Sequence, residues 1–332
     1  MPPRVLVTGA AGQIGSELVS ALRKRYGDGN VVATDKAVTR SQAAAGVLEP
    51  LDVMHLSSVE RAIRAHHVDT IYHLAAILSA VGETNPDLAW DVNMDGLKNI
   101  LDASARNGVR RVFWPSSIGV FGPDAPKNRA PQEVPLNPTT IYGVTKVAGE
   151  LLCAYYSKKY GLDVRSVRFP GLISSEARPG GGTTDYAVEI FYSALQAGKY
   201  TCFLARRTTL PMMYMPDALR AAIRITEADP GEVKLHTGYN VGAMSFSAGE
   251  LAAEIGKHIR GFRVTYAPDS RQAIADSWPK SVDDSEARRD WGWKEEYDLP
   301  AMASDMLARL SQKLGSGQKT FNPRGAAPRR LH

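Results

Sequence analysis

Arg4-Val-Leu-Val-Thr8 runs into Gly9-Ala-Ala-Gly12-Gln-Ile-Gly15 and then into Ser16-Glu-Leu-Val-Ser-Ala-Leu-Arg-Lys-Arg25. The first run is β-branched and apolar. The last places Leu18, Val19 and Leu22 at helical spacing, and Asn30-Val-Val-Ala-Thr34 follows as a second buried strand, so the whole reads as one βαβ unit. Three glycines between strand and helix let the backbone approach a pyrophosphate, and the helix N-terminus offers it unpaired N–H groups with a partial positive charge. Asp35 lies twenty residues beyond Gly15, at the end of the second strand. Its carboxylate can accept ribose hydroxyls and repels a 2′-phosphate, which predicts NAD rather than NADP.

Outward from this unit the alternation continues. Helix is predicted over 59–65, 93–107 and 143–160, and strand over 70–74, 111–115 and 163–169. That rhythm predicts an α/β fold, a Rossmann doubly wound parallel sheet with helices on both faces. Beyond Pro170 it loosens, with helices predicted over 187–196, 216–227 and 247–260. The predicted organisation is an NAD-binding domain over 1–170 with a return of chain around 207–242, and a smaller C-terminal substrate domain from 171–206 and 243–314. Residues 315–332, rich in Gly, Pro and Arg, read as a flexible basic tail.

Composition excludes several classes. The formal charge is +5, but five basic residues and no acidic one lie from Lys313 onward, leaving 35 basic against 35 acidic residues in the body. A neutral body predicts no nucleic-acid partner. The two cysteines, Cys153 and Cys202, have no metal-ligand spacing, so neither a metal site nor a disulfide framework is expected. The longest strongly apolar stretch, near 71–82, is too short for a membrane span, and strand-like residues from Val5 leave no room for a leader ahead of the fold. An intracellular, reducing compartment is predicted, the cytoplasm by default.

Further along, Tyr142-Gly-Val-Thr-Lys146 sets a phenol and an ammonium four residues apart on one helical face. A phenol is a poor base at neutral pH, and a neighbouring ammonium with a cationic nicotinamide lowers its pKa. Pro115-Ser-Ser117 ends the strand expected beside the nicotinamide, where a hydroxyl can bond the reacting oxygen; the alternative duty is turn capping. Asp52 can cap a helix or accept the adenine amino group. His73-Leu-Ala-Ala76 ends the fourth strand in small residues that suit a wall against the cofactor.

These motifs, in this order, resemble the extended short-chain dehydrogenase/reductases, the NAD-dependent epimerase/dehydratase family, over nearly the whole chain. The resemblance implies Tyr142 as acid/base, Lys146 on the nicotinamide ribose and Ser117 polarising the reacting oxygen. It also implies NAD contacts from Gly9, Gly12, Gln13, Ile14, Gly15, Asp35, Lys36, Asp52, Val53, Leu74, Ala75, Ala76, Asn93, Pro170 and Leu172. Relatives acting on nucleotide sugars usually carry an asparagine after the sixth strand and an arginine that contacts the nucleotide. Here the runs are Arg168-Phe-Pro-Gly-Leu172 and Leu210-Pro-Met-Met-Tyr-Met-Pro-Asp217, so a diphosphate loses its main partners.

Those runs, with Arg178-Pro-Gly-Gly-Gly-Thr183-Thr-Asp-Tyr-Ala187 and Ile274-Ala-Asp-Ser-Trp278-Pro, instead resemble the short-chain-type L-threonine 3-dehydrogenases. That subgroup implies oxidation of threonine's β-hydroxyl to 2-amino-3-ketobutyrate. It also implies substrate contacts from Ser79, Ser117, Tyr142 and Thr183, Trp278 as a lid, a homodimer, and the mitochondrial matrix as a second compartment. The competing readings are a nucleotide-sugar epimerase or dehydratase, a non-catalytic NAD-sensing scaffold and an RNA-binding protein using the tail. Intact Ser117, Tyr142 and Lys146 argue against the scaffold.

Overall fold

The structure is a computed structural model that describes residues 2–39, 48–178, 180 and 182–315; the predicted tail from 316 lies outside the described residues. In chain order the strands are β1 (Val5–Thr8), β2 (Val31–Asp35), β3 (Glu49–Pro50), β4 (Thr70–His73), β5 (Arg111–Ser117), β6 (Asp163–Phe169), β7 (Gly171–Ile173), β8 (Lys199–Cys202), β9 (Thr209–Tyr214), β10 (Tyr239–Asn240), β11 (Met244–Ser247) and β12 (Arg263–Tyr266). Seven of them form one sheet, all neighbours parallel, in the order β10-β6-β5-β4-β1-β2-β3. This is the predicted Rossmann architecture. The chain steps outward from β1 through β2 to the edge strand β3 and then crosses back to β4 on the other side of β1, which puts the glycine turn after β1 at the switch point of the sheet, where ligands bind in such folds.

Strand alternation distributes the core to two faces. Val5, Val7, Tyr72 and Phe113 pack on one side against helices Gln13–Tyr26 and Met215–Glu227; Leu6, Ile71, Val112 and Trp114 pack on the other against Leu56–His66, Gly96–Arg106 and Ile141–Tyr160. Arg165, fully buried on β6, donates to the carbonyls of Ile225, Thr226 and Ala228 at the end of helix Met215–Glu227. It satisfies carbonyls that a helix terminus leaves without intrahelical partners, and it bonds that helix to the sheet.

A second core gathers helices Tyr186–Ala197, Ala248–His258 and Leu299–Lys313 over the small sheet β11-β9-β7. β9 is the wall between the lobes: Leu210, Met212 and Tyr214 face the second core while Met213 faces the first. The chain is therefore interleaved. Val120, Phe121, Ala125 and Ala130 pack in the second core, and Ala287, Trp291 and Trp293 pack in the first.

Candidate active site

Gly9 adopts φ 69° and abuts the fourth strand's exit so closely that a Cβ there would lie 2.6 Å from the Ala75 nitrogen. At Gly15 a Cβ would stand 2.3 Å from the Gly9 carbonyl oxygen. Both positions exclude a side chain, so the helix packs directly on the turn. Helix Gln13–Tyr26 starts at Gly12 with no side-chain cap and no acidic residue in its first turn, while Arg23, Lys24 and Arg25 occupy its last. Its orphan N–H groups and dipole are left for an anion. The Gln13 side chain adds a buried Nε2 with no hydrogen-bond partner among the described residues. Asp35 closes the far side, its carboxylate accepting the N–H groups of Ala11 and Ala37, each at 3.0 Å. These residues fit a dinucleotide.

The catalytic candidates come from two elements. Ser117 is the last residue of β5, and Tyr142 and Lys146 lie on helix Ile141–Tyr160, which Thr140 caps through the Gly143 N–H at 3.0 Å. A Cβ at Gly143 would meet the Gly119 carbonyl oxygen at 2.3 Å, and one at Gly119 would meet the Tyr142 ring at 3.1 Å. Two glycines therefore let the helix settle against the turn after Ser117. Burial raises the Tyr142 phenol above its ordinary range, and a hydrogen bond with Ser117 pulls it back. The expected lowering by Lys146 is not what the protein groups produce. Lys146 is buried, its ammonium donating to the Pro115 carbonyl at 2.7 Å and lying 4.4 Å from the Trp114 ring centroid. Burial pulls its own pKa down to about 8, against the opposing charge of Glu150.

One cavity of about 230 Å³ joins these groups. Its lining includes Gly9, Gly12, Gln13, Ile14, Gly15, Leu74, Ala76, Ser117, Tyr142, Lys146, Pro170 and Leu172, and beyond them Ser79, Thr183 and Trp278. Ser79 and Thr183 hydroxyls face each other at 3.4 Å. Trp278 is buried, and Lys127 holds its loop by donating to the carbonyls of Asp276 and Trp278. Asp185, part of the Arg178–Ala187 run but given no role from the sequence, also lines the cavity and accepts the Gly182 N–H at 2.7 Å.

Other expected contacts lie outside the lining. Asp52 caps no helix: helix Leu56–His66 starts after His55, and Asp52 instead accepts the Met54 N–H at 3.0 Å and pairs with Lys36 at 2.9 Å. Val53 is buried core, and Ala75 touches Gly9 through its backbone. Asn93 sits in a π-helical turn, Asp91–Asp95, that joins helix Pro86–Trp90 to helix Gly96–Arg106, so the predicted helix is part of a longer helical run. Its side chain binds both the N–H and the carbonyl of Ile77 and donates to Thr145, so it braces the cavity wall.

Comparison with known proteins assigns this geometry to a family. The NAD dependent epimerase/dehydratase family matches residues 5–242. The chain belongs to that family. Its cofactor is accordingly NAD. Within the epimerase/dehydratase family the chain is similar to the mitochondrial L-threonine 3-dehydrogenase of Sus scrofa, 49% identical over 92% of this chain and 82% of the pig protein. It is also similar to the holo structure of a GalE-like L-threonine dehydrogenase from Cupriavidus necator, with 48% identity, a TM-score of 0.90 and coverage of 93% and 100%. A monomeric L-threonine 3-dehydrogenase from a metagenome, in its apo form, matches with 48% identity and a TM-score of 0.90 over 93% and 99%.

Proposed function

We propose that the chain is an L-threonine 3-dehydrogenase, oxidising the β-hydroxyl of L-threonine with NAD to give 2-amino-3-ketobutyrate and NADH. The observation that carries this reading, beside the relatives, is the cavity's far end. Buried Trp278 and the Ser79 and Thr183 hydroxyls line it, and among the described lining residues Lys146 is the sole cation, one of its N–H groups bonded to a backbone carbonyl. A sugar nucleotide's diphosphate would find no guanidinium there. A threonine-sized ligand finds hydroxyl donors for its carboxylate and an apolar lid that excludes water.

Tyr142 takes the proton of the β-hydroxyl, and Ser117 hydrogen-bonds the same oxygen as its charge changes. NAD, when bound, supplies the acceptor for the hydride of the β-carbon and a positive charge that favours the Tyr142 phenolate. Lys146 holds the ribose and keeps its ammonium near the tyrosine. Ser79 and Thr183 orient the carboxylate. Production of NADH, followed by absorbance, tests the reading with L-threonine beside L-allo-threonine, L-serine and a nucleotide sugar. Turnover of the nucleotide sugar with none of threonine refutes it.

The oligomer we propose is a homodimer. Among the described residues, apart from Leu314, the exposed large apolar side chains lie on or beside two adjoining stretches, with Leu78, Val81, Leu88 and Trp90 in one and Val144, Leu151, Tyr155 and Tyr160 in the other. Such a patch favours a self-complementary two-fold contact. Light scattering at the mass of one chain, the state named for the metagenomic relative, refutes it. No helix among the described residues is long and apolar enough to cross a membrane, and both cysteines are buried and free, which suits a reducing compartment.

A further inference from the structure

Behind the catalytic residues lies a charged cluster that the reaction as described does not use. Glu150, one turn after Lys146, is buried at 2% exposure, and Arg168 on β6 is buried at 4%. One Glu150 oxygen accepts both the Ser116 hydroxyl at 2.6 Å and the Arg168 Nε at 2.8 Å; the other accepts the Arg168 Nη2 at 2.7 Å. The remaining guanidinium nitrogen reaches the Gln132 carbonyl and the Asn240 side chain. Gln132 in turn binds the carbonyl of Gly238 and the N–H of Asn240. A bidentate pair anchored this way has little freedom.

The cluster's products are three consecutive residues. All three line the cavity: Pro115 is held by Lys146, Ser116 by Glu150, and Ser117, whose hydroxyl oxygen accepts the Gly119 N–H at 3.1 Å, lies beside Tyr142. We propose that Glu150, clamped by Arg168, is a positioning residue for the reaction assigned above, fixing the end of β5 through Ser116 and setting a negative charge against the Lys146 ammonium. The inference rests on that reading for its rate arm only.

The groups around Lys146 give the sign. On its own helix are Tyr142, Glu150 and Cys153, the last an undissociated thiol because burial raises it. β5 contributes the Pro115 carbonyl and the Trp114 ring. β4 contributes His73, held neutral by burial and by Lys146 itself, with a pKa near about 3. Arg168 of β6 stands on the other side of Glu150. Glu150 is thus the carboxylate that favours the ammonium. Neutralising it removes that negative charge one turn from Lys146 and leaves the Arg168 charge unpaired behind it, so the ammonium is lost at lower pH.

The test is NADH binding to the full chain without threonine, followed by fluorescence from about pH 6.5 to 10. In the wild type, affinity falls as the Lys146 ammonium deprotonates and its bond to the ribose weakens. Glu150→Gln, nearly isosteric but uncharged, should move that midpoint down by about one pH unit; an unmoved midpoint overturns the charge role. Should that variant fail to fold, Glu150→Asp keeps the charge and should keep the midpoint, and a midpoint moved by a full unit overturns the role equally. Ser116→Ala, assayed with threonine, should lower kcat by about ten-fold with KM and the NADH midpoint unchanged. An unaltered kcat overturns the strand-end role. A wild type inert toward threonine refutes the proposed activity, while the binding titration still decides the charge role.

Discussion

Replacing Lys146 with Met should make the protein inactive and, at neutral pH, no less stable. Lys146 is 3% exposed, and burial lowers its pKa from 10.5 to about 8. Because the folded pKa is depressed, the unfolded chain binds more protons between these values, and stability rises with pH across that window. At about pH 7 the burden on the folded state is about 3 kcal/mol; at about pH 9.5 it has fallen to about 1.5 kcal/mol. Methionine carries no such burden, but it gives up the bond to the Pro115 carbonyl and the contact with Trp114, together about 2 kcal/mol. The balance at pH 7 is a gain of about 1 kcal/mol for Lys146→Met. Urea unfolding of both proteins at the two pH values checks it. Wild type should gain about 2 kcal/mol on the variant between them, and a stability difference that ignores pH would refute the reasoning.

Two other substitutions test the site. Tyr142→Phe should lower kcat by at least about a hundred-fold while NADH fluorescence shows binding intact, and Ser117→Ala should cost less; a Tyr142→Phe enzyme retaining more than about a tenth of wild-type activity removes the tyrosine from its role. Asp35→Ser should reduce the preference for NAD over NADP in kcat/KM, since the carboxylate beside the Ala11 and Ala37 amides is lost. An unchanged ratio would place the ribose elsewhere.

Much of the site was legible because its signals are local. The strand, glycine turn and helix of residues 5–26, the end of β2 at Asp35, and the four-residue spacing of Tyr142 and Lys146 are all written within single elements. What escaped depends on pairings distant in sequence. β8, β9, β11 and β12 are short and paired across long separations, such as Met244 with Met212 and Arg263 with Lys199, so no run of residues announces them. Asn93 falls in a π-helical turn, which shifts the side-chain phase and aims it at Ile77. Asp52 sits too far ahead of its helix to cap it. The Tyr142 and Lys146 spacing predicted their shared face but not the Pro115 carbonyl, which draws the ammonium to the backbone of β5. Nothing local in the sequence pairs Glu150 with Arg168, eighteen residues apart, and only the fold brings them face to face in the interior.

The interleaving of the two lobes limits how this protein can be divided. A cut after residue 170 would strip the sheet of its edge partner β10, leave the Arg165 guanidinium without the carbonyls of Ile225 and Ala228, and strand Phe121 and Ala130 without their packing neighbours. Neither fragment would inherit a complete core. Substrate preference in such a chain cannot be exchanged by swapping a terminal half, and remodelling has to proceed through the lining residues one at a time. β9, with one set of side chains in each core, makes the two lobes a single unit of inheritance.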